Sequence, residues 1–296
     1  MLSLYQLRAF LEIARLGSVQ EAADALVVSQ PAVSSALASL QKSLGVRLTE
    51  RDGRKLRLTA AGKAFEVYGR RMFALLEEGR RRARELDGAS SSRVAVAAVT
   101  TAAEHLVPQL LQHYRNERPD VDVDLDVGNH ERVWDRLRHW EVDLVVAGRP
   151  PLDSPFETLA TRKHEMIVIA PAGEGFPELP LGTATWLVRE PGSGTLAVTE
   201  ECFAALGIDP PRLTIASNGA ISACVRAGLG YSLVSRDGVE RELESGAVRQ
   251  IATAFTPLDR QWHLVAASDR ERAPAVERFV EFAVERYGFS RRSAQP

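Results

Sequence analysis

Residues 10–62 read FLEIARLGSVQEAADALVVSQPAVSSALASLQKSLGVRLTERDGRKLRLTAAG. Within and just before this stretch, apolar residues fall at helical spacing three times over. Leu4, Leu7, Leu11 and Ala14 form one stripe, opened by Ser3 and Gln6 placed as a capping box. Ser18 and Glu21 form a second box before an Ala-rich helix reaching about Leu26. Ser29 is expected to cap a third helix, with Pro31 tolerated in the first turn, where N–H groups lack helical partners anyway. Val33, Leu37, Leu40 and Leu44 make its buried stripe, and Gly45 ends it. Leu48 to Leu58 then centres on Asp52-Gly53, a hairpin turn signal, with Leu56 and Leu58 alternating with Lys55 and Arg57. Two short helices joined by a tight turn and followed by a basic hairpin make a winged helix-turn-helix.

The third helix presents a second face. At 100° per residue, Pro31, Ser35, Ala38 and Lys42 lie opposite the apolar stripe, flanked by Gln30 and Ser34. Small residues let a helix approach base edges in a major groove about 12 Å wide. Gln30 suits adenine, Ser34 and Ser35 suit bases or phosphate, and carbons of Pro31 and Ala32 suit thymine methyls. Arg51, Arg54, Lys55 and Arg57 on the hairpin suit phosphates or a neighbouring minor groove, although a lone surface Arg is commonly just solvated. Charge follows the same division. Residues 1–88 carry 15 Lys+Arg against 10 Asp+Glu, net +5, whereas the rest carries 22 against 29, net −7. A basic head on an acidic body points to a polyanionic partner, although +5 over this length also arises by chance.

From Thr59 to Leu86 runs one long helical pattern. Phe65, Tyr68, Met72, Leu75, Gly79, Ala83 and Leu86 mark a narrow seam, the width that pairs with a second helix rather than a broad core. The competing reading is a long helix lying on its own protein. Gly88 to Ser92 reads as a hinge. With 296 residues, two or three domains are expected. Two cysteines, Cys202 and Cys224, argue against a disulfide scaffold. No apolar run approaches a membrane span, and Arg8 and Glu12 interrupt any signal-peptide core, so a cytoplasmic location without membrane partners is expected.

Beyond the hinge, strands are expected at 93–99, 121–127, 142–148, 163–170, 184–188, 212–217, 230–235, 247–252 and 261–267. Helices are expected near 102–117, 130–140, 194–206, 219–228 and 273–287. Such alternation implies an α/β body with parallel sheets, and two lobes about a ligand cleft.

Residues 10–62 closely resemble the N-terminal domain of LysR-type transcriptional regulators. The pieces that carry the likeness are Ala22-Ala23, Leu26, Ser29-Gln30-Pro31-Ala32-Val33-Ser34, Leu40, Leu44-Gly45 and Leu58-Thr59-Ala60-Ala61-Gly62. Head, long helix and α/β body in this order extend the likeness to the whole chain. Thr49, where the family usually has Phe, and Ser35, where Arg is frequent, depart from it. The resemblance implies a winged helix-turn-helix over 1–58, a linker and dimerisation helix over 59–88, and a periplasmic-binding-protein-like effector domain over 89–296. Its first lobe would comprise 93–165 with 268–296 and its second 166–267, crossing near 163–167 and 266–270. Double-stranded DNA, a small effector, further copies of the chain as dimer or tetramer, and RNA polymerase are the implied partners.

Within the body, Thr100 and Thr101 sit between a strand and a helix, where hydroxyls and free N–H groups hold anions. Arg189-Glu190-Pro191-Gly192-Ser193-Gly194-Thr195 repeats that arrangement, with Arg189 as charge, Ser193 and Thr195 as donors and Gly194 exposing backbone. In isolation such a stretch is a turn with a helix cap. Asn129, Arg149, Ser217 and Asn218 are candidates to complete the cleft, although loop-end Asn and Ser commonly cap helices. The Pro-Gly-Ser-Gly-Thr loop looks like that of family members controlling carbon fixation or sulfur and nitrogen assimilation, which suggests a small anionic metabolite. An enzyme is a weaker reading: the six histidines show no metal spacing, no nucleophile elbow occurs, and no metal or cofactor is expected. A thiol redox sensor through Cys202 and Cys224 is the other alternative, against the usual quiet burial of such cysteines.

Overall fold

The computed structural model describes residues 2–53, 55–87, 92–173 and 179–291. Contacts divide the chain into two units, one holding residues up to 90 and the other nearly all the rest.

The first unit opens with α1 (Leu4–Leu16), α2 (Val19–Leu26) and α3 (Gln30–Leu44). The Ser3–Gln6 capping box forms in full, and Ser18 caps α2 by accepting from the Glu21 amide at 3.3 Å. Ser29 is a correction: it occupies the cap position of α3, but its hydroxyl makes no capping bond. Leu7, Phe10, Ile13, Val33, Leu40 and Leu48 are buried together in one core. The wing is β1 (Thr49–Asp52) and β2 (Lys55–Leu58). Asp52 pairs with Lys55, so the turn begins one residue later than expected, at Gly53 with φ 60°. The Leu56 amide donates to the Gly17 carbonyl at 2.8 Å, and Gln41 Oε1 accepts from the Leu48 amide at 2.8 Å, fixing the hairpin to α1 and α3.

Helix α4 (Ala60–Leu86) follows at once. Thr59 ties its start, accepting from the Gly62 amide at 3.0 Å and donating to the Arg47 carbonyl at 2.8 Å. A Cβ on Gly62 would lie 2.0 Å from the Leu48 carbonyl oxygen, which explains glycine at the end of the Leu-Thr-Ala-Ala-Gly run. Phe65 corrects the expected seam: it is half-buried in the head core, its ring 5.6 Å from that of Phe10. Tyr68, Met72, Leu75, Leu76, Ala83 and Leu86 remain exposed.

The second unit begins with β3 (Ser92–Val99), α5 (Thr100–His105), α6 (Val107–Glu117), β4 (Val121–Gly128), α7 (His130–Arg138) and β5 (Leu144–Ala147). The single helix expected over 102–117 is broken at Leu106, two residues before Pro108, which lacks the N–H an uninterrupted helix would use there. Next come β6 (Phe156–Pro171), β7 (Trp186–Val188), α8 (Gly194–Leu206), β8 (Arg212–Thr214), α9 (Asn218–Arg226) and β9 (Ser232–Ser235). After a 3-10 turn at Arg236–Gly238 follow α10 (Glu240–Glu244), β10 (Val248–Ile251), β11 (Leu258–Ala267), α11 (Pro274–Arg286) and β12 (Ser290–Arg291).

The sheet is mixed rather than parallel. β3 pairs β4 and β5 in parallel, while β11 runs antiparallel to β5 and along most of β6. β9 and β10 add antiparallel to the far half of β6. Two lobes result. One core holds Val96, Leu110, Tyr114, Leu144, Leu264 and Phe279. The other holds Val168, Trp186, Phe203 and Leu233, with Ile169, Ile221 and Val225 on its far face. The first crossing lies between Ala160, in the first core, and Met166, in the second. The second crossing comes earlier than expected: Trp262, Leu264 and Ala266 already pack in the first core. Long antiparallel pairing of β6 with β11 fixes both crossings at one level.

Candidate functional site

On α3, Gln30, Pro31, Ser34, Ser35, Ala38 and Lys42 are exposed and Ala32 is half-buried. The burial follows from the apolar stripe beneath them, which leaves a ridge of small and polar groups. On the wing, Arg51 and Lys55 are exposed and have no ion-pair partner among the described residues, whereas Arg57 is held by Glu50 at 2.8 Å. Arg54 lies outside the described residues. Arg51 and Lys55 thus stand on an exposed hairpin in the same unit as a helix with a ridge of small and polar residues.

In the second unit, strand ends of both lobes converge on a cavity of about 480 Å³. Thr100 and Thr101 reach it from the end of β3, Asn129 from β4, and Arg149 from the turn after β5. Arg189, Ser193, Gly194 and Thr195 reach it from the β7–α8 connection. Ligand crevices of α/β proteins form at such carboxyl ends of strands. Ser193 is 8% exposed and its hydroxyl makes no capping bond, so the first turn of α8 faces the cavity with unmatched amides. Gly192 has φ 83°, and a Cβ there would lie 3.0 Å from Asn129 Nδ2, so the lobes close tightly at this rim.

Arg189 is 4% exposed, and its charge is already matched. Its Nε–H and an Nη–H donate to the Glu190 carboxylate at 2.8 and 3.0 Å, and another Nη–H donates to Asn218 Oδ1 at 2.5 Å. Burial pushes the Glu190 carboxyl up, but the hydrogen bonds and charge of Arg189 outweigh it and hold the group below its ordinary value. Arg189 lines the cavity as expected, but with its charge already paired to Glu190. Asn218 does not line the cavity. Its Nδ2 donates across the lobes to Thr101 Oγ1 and Glu104 Oε2, both at 3.1 Å. Ser217 is likewise outside: it is exposed and caps α9, accepting from the Ala220 amide at 3.3 Å.

Further lining residues escaped the sequence reading, among them His130, His164, Met166, Arg260 and Trp262. Four of these alternate along β6 and β11, but a two-residue period is common to every strand and marks no cavity. Burial first, then the charges of Arg260, Arg162 and His263, push the His164 imidazole down to about 4, so it is neutral at neutral pH.

Residues 87–288 match the LysR substrate binding domain, and residues 4–63 match the bacterial regulatory helix-turn-helix protein, lysR family. The chain belongs to the LysR family. It is 33% identical over 297 residues to the HTH-type transcriptional regulator CbbR of Xanthobacter flavus, covering 97% of this chain and 89% of that one. Among solved structures it resembles the Synechocystis PCC6803 CcmR regulatory domain in complex with 2-PG, with a TM-score of 0.60 and 24% identity. That likeness covers 66% of this chain and 98% of CcmR's. Full-length CbnR complexed with its target DNA gives a TM-score of 0.65 at 22% identity, covering 96% and 99% of the two chains. This LysR-family member is thus a DNA-binding, effector-controlled transcriptional regulator and not an enzyme. Of the two cysteines of the thiol alternative, Cys202 is fully buried in the second lobe and burial pushes its thiol up to about 11, which argues against reactivity there, while Cys224 is half-buried. Among the described residues no helix is long and apolar enough to cross a membrane.

Proposed function

We propose that this regulator acts in the cytoplasm as a homodimer, or a tetramer built from dimers, and that a small anionic metabolite in the interlobe cavity sets its promoter output. The observation that carries this reading is the convergence of Thr100, Thr101, Ser193 and Thr195 with the open first turn of α8 on one cavity. Hydroxyls and helix N-terminal amides together hold oxyanions. The likeness to a CcmR domain that holds 2-PG supports a phosphorylated metabolite. The Pro-Gly-Ser-Gly-Thr loop fits control of carbon fixation or of sulfur and nitrogen assimilation genes, and 34% identity to the RuBisCO operon transcriptional regulator of Allochromatium vinosum favours the first.

The α3 ridge with Arg51 and Lys55 would place two heads on half-sites of a pseudo-palindrome. Gln30, Pro31, Ala32, Ser34, Ser35, Ala38 and Lys42 would contact the groove. The exposed face of α4 would join the two copies, and RNA polymerase would be met at the promoter. A ligand alters output only if it binds two lobe arrangements with different affinity. The test is calorimetry of the full chain with 2-PG and inorganic phosphate, alongside a gel shift on the region upstream of its own gene. Binding that is weakened by Ser193→Ala and Thr100→Val, with basal DNA affinity unchanged, supports the reading. Unaltered binding in both variants overturns the assigned site.

A further inference from the structure

The register of the wing sorts its charges onto one face. Residues directly opposite in an antiparallel pair share a face, and neighbours along a strand alternate. Thr49 opposite Leu58 and Arg51 opposite Leu56 make one face, on which Leu56 and Leu58 pack against the head core. Glu50 opposite Arg57 and Asp52 opposite Lys55 make the other, and all four of these side chains are exposed. Two carboxylates and two cations leave that outer face without net charge. Residues 1–58 hold five acids, Glu12, Glu21, Asp24, Glu50 and Asp52, so two of them fall on the four-residue strand β1. In a unit that binds DNA this is an unfavourable place for them, because the phosphates repel a nearby carboxylate.

Arg57 is the cation most affected. An Nη–H donates to Glu50 Oε1 at 2.8 Å, between side chains that are 64% and 48% exposed. The hydrogen bond and charge of Glu50, then the charge of Asp52, push the Arg57 guanidinium further up. An ion pair so exposed adds little to hairpin stability, which gives small reason for a carboxylate here. Its effect on the partner is larger. Each cation that neutralises a phosphate releases counterions, and non-specific affinity is built almost wholly from such contacts.

We propose that Glu50 is a specificity-determining residue of the head: it holds Arg57 back from the phosphate backbone, so that the wing does not grip duplexes at random. On a cognate site, α3 seated in the major groove fixes how the head lies. On unrelated sequence nothing fixes it, and the head turns its most positive surface to the backbone. Removing the carboxylate adds Arg57 to that surface and strengthens the unwanted mode more than the wanted one. This proposal rests on the head being the DNA-binding unit and is independent of the effector.

The experiment is fluorescence anisotropy of the full chain with two duplexes over a salt series. One duplex is selected by this chain from a random pool; the other has the same composition in shuffled order. Glu50→Gln is expected to tighten binding to the shuffled duplex about fivefold and to steepen its log–log salt dependence by about 0.9, the value of one added phosphate contact. Binding to the selected duplex should change less than about twofold in the same variant. Arg57→Gln alone should leave both affinities within about twofold of wild type, and Glu50→Gln with Arg57→Gln should return the shuffled duplex to wild-type affinity. Weakened binding and a flatter salt dependence in Arg57→Gln would show that this guanidinium already grips a phosphate, and the proposal falls. It falls too if Glu50→Gln leaves the shuffled duplex unchanged or tightens both duplexes equally. Weakening of both duplexes by Glu50→Gln, with a lowered melting temperature, assigns Glu50 a purely structural part in the hairpin and overturns it as well.

Discussion

Arg189 gives its Nε–H and one Nη–H to the two carboxylate oxygens of its own chain neighbour Glu190, at 2.8 and 3.0 Å. The pair neutralises a nearly buried guanidinium at the mouth of α8 and turns it from an open anion receptor into a brace. Through Asn218 the brace reaches Thr101 on the other lobe.

Glu190→Gln removes the counter-charge and is expected to destabilise the second unit by about 2 kcal/mol, the scale of a charge-assisted hydrogen bond. The Glu190 pKa is lowered on folding, so its contribution is fully present above its ordinary value of 4.5 and is lost as pH falls through the lower folded value. Melting temperatures measured from pH 7 down to 3 should show a steeper acid decline in the wild type than in the variant. Parallel curves would refute the brace.

Gly62→Ala places a methyl 2.0 Å from the Leu48 carbonyl oxygen, between two backbones that cannot both yield. A loss of about 3 kcal/mol is expected, at the upper end for overpacking. Circular dichroism melts should register it together with weakened DNA binding.

Val27→Asn should stabilise the head by about 1 kcal/mol. Val27 is a β-branched residue at φ 57° and is 90% exposed, so substitution removes left-handed strain without removing packing. A raised urea midpoint with an unchanged slope is the expected result.

Met72→Glu with Leu75→Glu should yield monomers in sedimentation while helix content stays unchanged, because both side chains are exposed on α4. Phe65→Ala should instead lower head stability, by about 2 kcal/mol, less than truncation of a fully buried Phe because Phe65 is half-buried, and leave association intact. The reverse pattern would return Phe65 to the seam.

Ser34→Glu puts a negative charge on the exposed ridge of α3 and should cut operator affinity at least a hundredfold in a gel shift, with the melting temperature unchanged. Unaltered affinity would move the recognition surface elsewhere.

The sequence by itself determined what is local. Helical spacing, the Ser3–Gln6 box and a hairpin with Gly53 in its turn specify the winged head, because each is a relation between residues a few positions apart. The same holds for the open turn of α8 at Ser193 to Thr195, which a strand followed by a Gly-rich segment announces. Tertiary structure alone decided the rest. Phe65 satisfies the same helical period as Met72, and only the proximity of Phe10 assigns it to the head core. Ser217 and Asn218 are consecutive polar residues at a helix start, yet one caps and the other braces two lobes, since only Asn218 has partners on Arg189 and α5. His164 and Arg260 lie about a hundred residues apart and meet through the register of two antiparallel strands. Which face of those strands lines a cavity depends on where two separate cores stop, and no period within either strand encodes that.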